Sequence, residues 1–397
     1  MQAKRSSTAF IATLAVFTVT LLATSTRAVA QKEKLLYSFG TTRMDGDYPR
    51  AGLIFDNAGN LYGTTYSGGA HNAGSVFELT HKTSGRWTER ILHNFKGGAD
   101  GAFPAANLIF DASGNLYGTT YAGGVHDSGT VFELTPEATV GWTEKVLYAF
   151  GSRSQDGTSP YAGLTLDGSG NLYGTTLEGG TGSSGTVFEL TLKAGGGWTE
   201  KVLHSFGQGK DGSSPYASLI IDTAGNLYGT TFYGGADGLG TAFELTPKAG
   251  GKWAEKVLHS FNGKDGKNPT ASLIFDASGN LYGPTEDSIF ELMPKTGGGW
   301  AEKVLYNSGS TAGLIFDGAG RLYGTTYVGG PQGEGTVFEL TRKADGKWKY
   351  LVVYSFIGGV DGANPYAGLA LDRSGNMYGT TYFGGADNQG VVFEFTP

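Results

Sequence analysis

The chain has 397 residues, a net charge of −7, no cysteine and 68 glycines. The acidic balance argues against nucleic acid as a partner, because a polyanion needs a basic footprint, and the missing cysteines exclude disulfide staples and a lipid-modified N-terminal cysteine. So much glycine would suit a disordered or collagen-like chain, but 23 Phe, 21 Tyr and 6 Trp residues accompany it, which marks the glycines as turn residues of a packed protein.

Residues 1–30 read as a secretory signal peptide. Lys4 and Arg5 precede an apolar run from Ala9 to Ala23 interrupted only by Thr, and Ala28-Val29-Ala30 supplies a small-residue cleavage site. Cleavage leaves Gln31 first and, by removing Lys4, Arg5 and Arg27 but no acid, takes the charge from −7 to −10. The run is too short for a comfortable membrane span, and nothing later approaches the roughly 20 apolar residues a span needs. The expected product is secreted (extracellular, cell-surface or periplasmic), with residues 31–397 as one domain.

The mature chain opens on an isolated strand-like run, Leu35–Phe39 (LLYSF). A unit then recurs, marked by Asp56, Asp111, Asp167, Asp222, Asp276, Asp317 and Asp372 at spacings of 55, 56, 55, 54, 41 and 55. Its second copy shows four strand patterns: Leu108–Phe110 (A), Asn115–Thr120 (B), Thr130–Thr135 (C) and Trp142–Phe150 (D). Between A and B, Asp111 suits the start of a type I turn and Gly114 its positive-φ position. No stretch carries a helical period of comparable length, and Gly or Pro punctuates every 10 to 15 residues. Seven units of four short antiparallel strands predict an all-β, seven-bladed β-propeller. The chain ends after A, B and C of the seventh copy, so the lone N-terminal run completes that blade only if the ring closes; a solenoid would instead need polar caps.

The fifth copy departs from the pattern. Tyr282 to Phe290 spans 8 residues where other copies have 15, and Trp300 to Asp317 spans 17 where they have 23 to 25. A Gly-Gly loop and an Asp-Gly-x-x-Pro loop are lost from the same face of neighbouring blades. That face carries the longer loops and is the expected working surface, so the rim should be notched there, with Glu286, Asp287 and the polar run Asn307–Thr311 in place of the usual cover.

At its Gly-Gly loops, TVFELT, LYSF, DGxxPxAxL and GNLYGTT segments the chain resembles the GloVer tandem-repeat family over Leu35 to Pro397. The resemblance implies a bacterial secreted or surface protein and no established activity. Many members carry a C-terminal surface anchor; none follows here, so cell-wall attachment is not expected.

Most recurrent polar residues read as structural. The turn Asp lacks the six to eight converging oxygens of a calcium loop. Asp45, Asp100, Asp156, Asp211, Asp265 and Asp361 start Asp-Gly turns, with metal or sugar binding as the alternative. Glu78, Glu133, Glu189, Glu244, Glu291, Glu339 and Glu394 face basic D-strand residues and should form cross-strand ion pairs. His93, His204 and His259 alternate with tyrosines at one half-exposed position; His71 and His126 lie in adjacent loops but lack a third ligand, so no metal is expected. Tyr161, Tyr216 and Tyr366, each following a Pro near the channel, read either as packing between blades or as flat rings for a carbohydrate or protein ligand.

The resulting expectation is a monomeric, non-catalytic binding module without cofactor or metal, with Tyr161, Tyr216, Tyr366, Glu286 and Asp287 as binding residues and the ligand entering at the notch. The alternative is a secreted lyase or hydrolase, which would need a unique acid–base cluster among the non-repeated charges Arg43, Arg50, Glu178, Glu286, Asp287 and Glu334.

Overall fold

A computed structural model describes residues 32–42, 44–139, 141–307 and 312–397. The expected signal segment with Ala30, Arg43, and four residues of the notch run (308–311) lie outside them. Seven four-stranded antiparallel sheets form the blades of a β-propeller, each a meander from a two-residue inner strand to a long outer one. Blade two consists of Ile109–Phe110, Leu116–Thr120, Thr130–Glu137 and Gly141–Ala149. Blade seven takes Ala370–Leu371, Met377–Thr381 and Val391–Thr396 from the C-terminus and Lys32–Ser38 from the N-terminus, paired from Lys32↔Thr396 to Ser38↔Val391. The ring is closed as expected.

The turn chemistry is local. Asp111 Oδ1 accepts the backbone N–H groups of Ser113 (2.9 Å) and Asn115 (2.8 Å), Oδ2 accepts Asn115 Nδ2 (2.8 Å), and Gly114 takes φ +86°. The Tyr117 hydroxyl lies 3.2 Å from Asp111 Oδ2 and 2.8 Å from Glu133 Oε1. This corrects the expected role of the C-strand glutamates. D-strand residues do stand opposite in register, but of the basic ones among the described residues only Arg90 (3.9 Å from Glu78) and Lys34 (3.6 Å from Glu394) form the ion pair, while Glu339, which faces Leu351, is reached by Arg321 of the A–B turn at 3.4 Å. A rigid, buried tyrosine hydroxyl on the same face competes well against a long hydrated lysine, and Lys303 instead reaches the Gly346 carbonyl of the next blade at 3.1 Å.

The core lies between blades. Tyr62, Leu92 and Phe95 of blade one pack with Leu108, Leu116, Phe132 and Leu134 of blade two, and the closing interface joins Leu36 and Phe39 to Leu53, Leu61, Phe77, Tyr378 and Val392. A bulge in every outer strand, between Val131 and Phe132 of the partner strand in blade two, lets Leu147 turn inward. Gly118 is demanded by packing: a Cβ there would sit 2.5 Å from Phe132 Cζ and 2.9 Å from Leu108 Cδ2.

Candidate functional site

In every blade but the sixth, the loop entering the inner strand ends in a residue–Pro–residue step. The residue before Pro holds positive φ in six blades: Tyr48 (57°), Phe103 (60°), Ser159 (58°), Ser214 (53°), Asn268 (50°) and Asn364 (55°). Such backbone persists where its surroundings over-determine it. The Ser214 N–H donates to the Ser184 carbonyl of the preceding blade (2.7 Å), and its carbonyl accepts the Phe232 N–H (3.0 Å), immediately after the Thr pair of its own blade. The same pair of bonds recurs at Tyr48, Phe103, Ser159 and Asn364 and fixes two residues at the channel mouth in each of those blades. After Pro stand Arg50, Ala105, Tyr161, Tyr216, Thr270 and Tyr366; after the Thr pairs, or the matching Pro-Thr of blade five, stand Tyr66, Tyr121, Leu177, Phe232, Glu286, Tyr327 and Tyr382.

All but Tyr66, Tyr121 and Tyr382 line one cavity of about 660 Å³, whose wall also includes Glu178, Asn107, Gly163, Ser218 and Gly313. The three predicted tyrosines meet there although blades separate them. The rings of Tyr161 and Tyr216 are 4.4 Å apart, and the hydroxyls of Tyr216 and Tyr366 are 3.1 Å apart. Burial first, then the neighbouring hydroxyls, pushes the Tyr161 and Tyr216 phenols above their ordinary range, so they act as neutral hydrogen-bonding groups rather than bases.

Arg50 is the hub that sequence reasoning left among scattered charges. Its guanidinium lies 3.8 Å from the Tyr66 ring centre, 5.1 Å from that of Tyr382 and 5.7 Å from that of Tyr366. It donates to the hydroxyls of Tyr161 (3.4 Å) and Tyr382 (3.2 Å), while Nε is buried without an acceptor. Burial works against its charge, but those hydroxyls more than offset it and the pKa rises. The available signal was its register: Arg50 occupies the post-Pro position of Tyr161, Tyr216 and Tyr366.

Glu286 lines the cavity; Asp287 is not on the wall and accepts the Thr285 hydroxyl (3.1 Å) inside the tight hairpin. In the two-residue bend between Leu281–Pro284 and Ile289–Pro294 the Asp287 N–H also donates to the Thr285 hydroxyl (3.3 Å), which holds this residue within its own hairpin. No hydrogen bond or ion pair joins Arg50, Glu178, Glu286, Asp287 and Glu334 to one another among the described residues. His71 and His126 are both exposed.

The Asp-Gly carboxylates and the D-strand Tyr/His position, read as turn and surface, meet at blade interfaces. His93, His204 and His259 approach Asp100 (3.3 Å), Asp211 (3.1 Å) and Asp265 (3.1 Å); Tyr148 donates to Asp156 (2.8 Å), and Tyr37 lies 3.0 Å from both Asp45 and Glu89. A glutamate of the next outer strand completes each group. Burial raises Glu33, Glu144, Glu200, Glu255 and Glu302 to about 7 and Glu89 to about 8, the facing Asp adding to this, with Arg153 opposing it at Glu200. In all six, Oε1 is buried without a partner. Ligand atoms of His93, Asp100 and Glu144 fall within 4.8 Å of one another, the group among the described residues that could hold a metal ion. Tyrosines replace the histidine at equivalent interfaces, so the shared feature is the carboxyl pair. At the notch the pattern is exchanged as a whole: the Asp is gone with its loop, Tyr350 stands where the Glu would, and it stacks on Tyr306 at 3.9 Å and 3°.

The sequence profile described as the Gloeobacter/Verrucomicrobia repeat matches residues 15–199, 166–299 and 288–397. No curated protein sequence matches the chain. Among solved structures, virginiamycin B lyase from Staphylococcus aureus superposes with a TM-score of 0.57 at 12% identity, covering 92% of this chain and 99% of that one. A catalytically inactive form of that lyase with quinupristin gives 0.56 at 14% (92% and 100%), and a protein from Lactobacillus plantarum 0.51 at 15% (92% and 100%). At these identities the likeness is one of fold.

Proposed function

The chain belongs to the Gloeobacter/Verrucomicrobia repeat family, and from that premise we propose a secreted or cell-surface, monomeric and non-catalytic binding module that holds a carbohydrate or protein ligand in the channel mouth. The carrying observation is the broken symmetry of the cavity wall. Seven copies repeat the same hairpin and core and six the Thr pair, yet the residues after Pro and after the Thr pair vary between Arg, Tyr, Phe, Leu, Glu, Thr and Ala, and most of them line one concave space of ligand-pocket size. Aromatic faces with a few placed polar groups favour recognition, and raised phenol pKa values, with no hydrogen-bonded acid and base on the cavity wall among the described residues, favour binding over turnover. Export is supported by the signal pattern of residues 1–30, and among the described residues no helix is long and apolar enough to cross a membrane.

Glycan-array and pull-down screening of the wild type beside Tyr161→Ala/Tyr216→Ala tests this reading. Ligands captured by the wild type should be lost from the double variant while its melting temperature stays within a few degrees. Capture unaffected by the double substitution would refute the channel site. Covalent breakdown of a captured ligand, abolished by Glu286→Gln, would instead favour the lyase or hydrolase.

A further inference from the structure

We propose that the ligand of this channel mouth is an acidic saccharide whose carboxylate docks on Arg50, an inference that rests on the binding-module reading above. Arg50 makes no ion pair among the described residues, its bonds go to two neutral phenols, and its buried Nε has no acceptor. A guanidinium presents five N–H groups in a planar fork that matches a carboxylate bidentately, so a cation held by aromatic faces and weak neutral acceptors is preorganised for an anion. The blade does not require it. The other five post-Pro positions carry Ala, Tyr, Tyr, Thr and Tyr on the same backbone, so packing is met without a charge.

The remaining wall selects a sugar over a peptide. Tyr161 and Tyr216 offer ring faces for the C–H face of a pyranose, and Glu178, Glu286, Asn107 and Ser218 supply acceptors for its hydroxyls. An acidic peptide would bring its further carboxylates against Glu178 and Glu286, and the two-residue inner strands leave little edge for strand addition.

The test uses full-length mature protein and the methyl glycosides of galacturonic, glucuronic and mannuronic acid, which carry one carboxylate each, beside their methyl esters, with calorimetry at low ionic strength and neutral pH. At least one acid should bind roughly 10- to 100-fold tighter than its ester, as a charged hydrogen bond against a neutral one predicts. Arg50→Gln should level that pair, and Arg50→Lys should keep only part of the difference. The proposal is overturned if no acid exceeds its ester tenfold, if Arg50→Gln keeps the preference, or if an acidic peptide binds where every uronate fails. Should Arg50→Gln not fold, the acid-to-ester ratio of the wild type still decides. Esters binding as tightly as acids, yet lost in Tyr161→Ala/Tyr216→Ala, would leave the channel site standing and remove the carboxylate; binding indifferent to both tyrosines would remove the site itself.

Discussion

If the N-terminal strand closes the ring, Phe39 must be worth as much as its counterpart at an internal interface. Phe39 is fully buried with its ring 5.1 Å from Phe77; Phe150, between blades two and three, is fully buried with its ring 5.0 Å from Phe188. Phe39→Ala and Phe150→Ala remove the same atoms from matching clusters, so each should cost about 3–5 kcal/mol in transfer and cavity terms. With an unfolding entropy of about 2.1 cal/mol/K per residue, a protein of this size should lose roughly 4–6 °C in melting temperature. Calorimetry and guanidinium titration of both variants give the comparison. A loss below about 1 kcal/mol for Phe39→Ala beside a full loss for Phe150→Ala would refute closure as an energetic link, since a buried Phe→Ala should cost about 3–5 kcal/mol at both interfaces.

The carboxyl pairs between blades predict an inverted pH dependence. Glu33, Glu89, Glu144, Glu200, Glu255 and Glu302 are raised above the unfolded value of 4.5, so the folded state binds more protons and stability should fall as pH rises from about 4.5 to about 7–8. Asp100, Asp167, Asp222 and Asp276 are lowered and should cost stability below about pH 4. The melting temperature should peak near pH 4–5, and Glu255→Gln should narrow the difference between pH 5 and pH 8; a melting temperature that climbs over that interval contradicts the assignment. Gly118→Ala should cost about 1–3 kcal/mol by overpacking against Phe132, and Phe132→Leu combined with it should cost less than the two single losses added, measured by denaturant midpoint. Replacing Glu286–Asp287 with the blade-four loop Tyr233–Gly240 should preserve folding by circular dichroism and abolish capture of whatever ligand the screen finds; full retention would place entry away from the notch.

The repeat, the four strands, the Asp-x-x-Gly-Asn turn and the closing strand were legible in the sequence because their physics is local. Asp111 bonds Ser113, Asn115 and Tyr117, all within six residues, and the missing outer strand of the seventh copy is a matter of counting. The meeting of Tyr161, Tyr216 and Tyr366 could be expected from their shared register near the channel, although not that Arg50 would join Tyr382 across 332 positions. That contact depends on the curvature that seven packed interfaces impose on the ring. The same holds for Glu255, buried against Asp211: in the sequence each belongs to a plausible exposed turn or strand, and only the packing of one blade on the next removes the water that would have kept the Glu255 carboxyl near its ordinary range. Asp287 shows the converse, since its carboxylate and its N–H both bond the Thr285 hydroxyl within the tight hairpin of blade five, off the cavity wall that Glu286 lines.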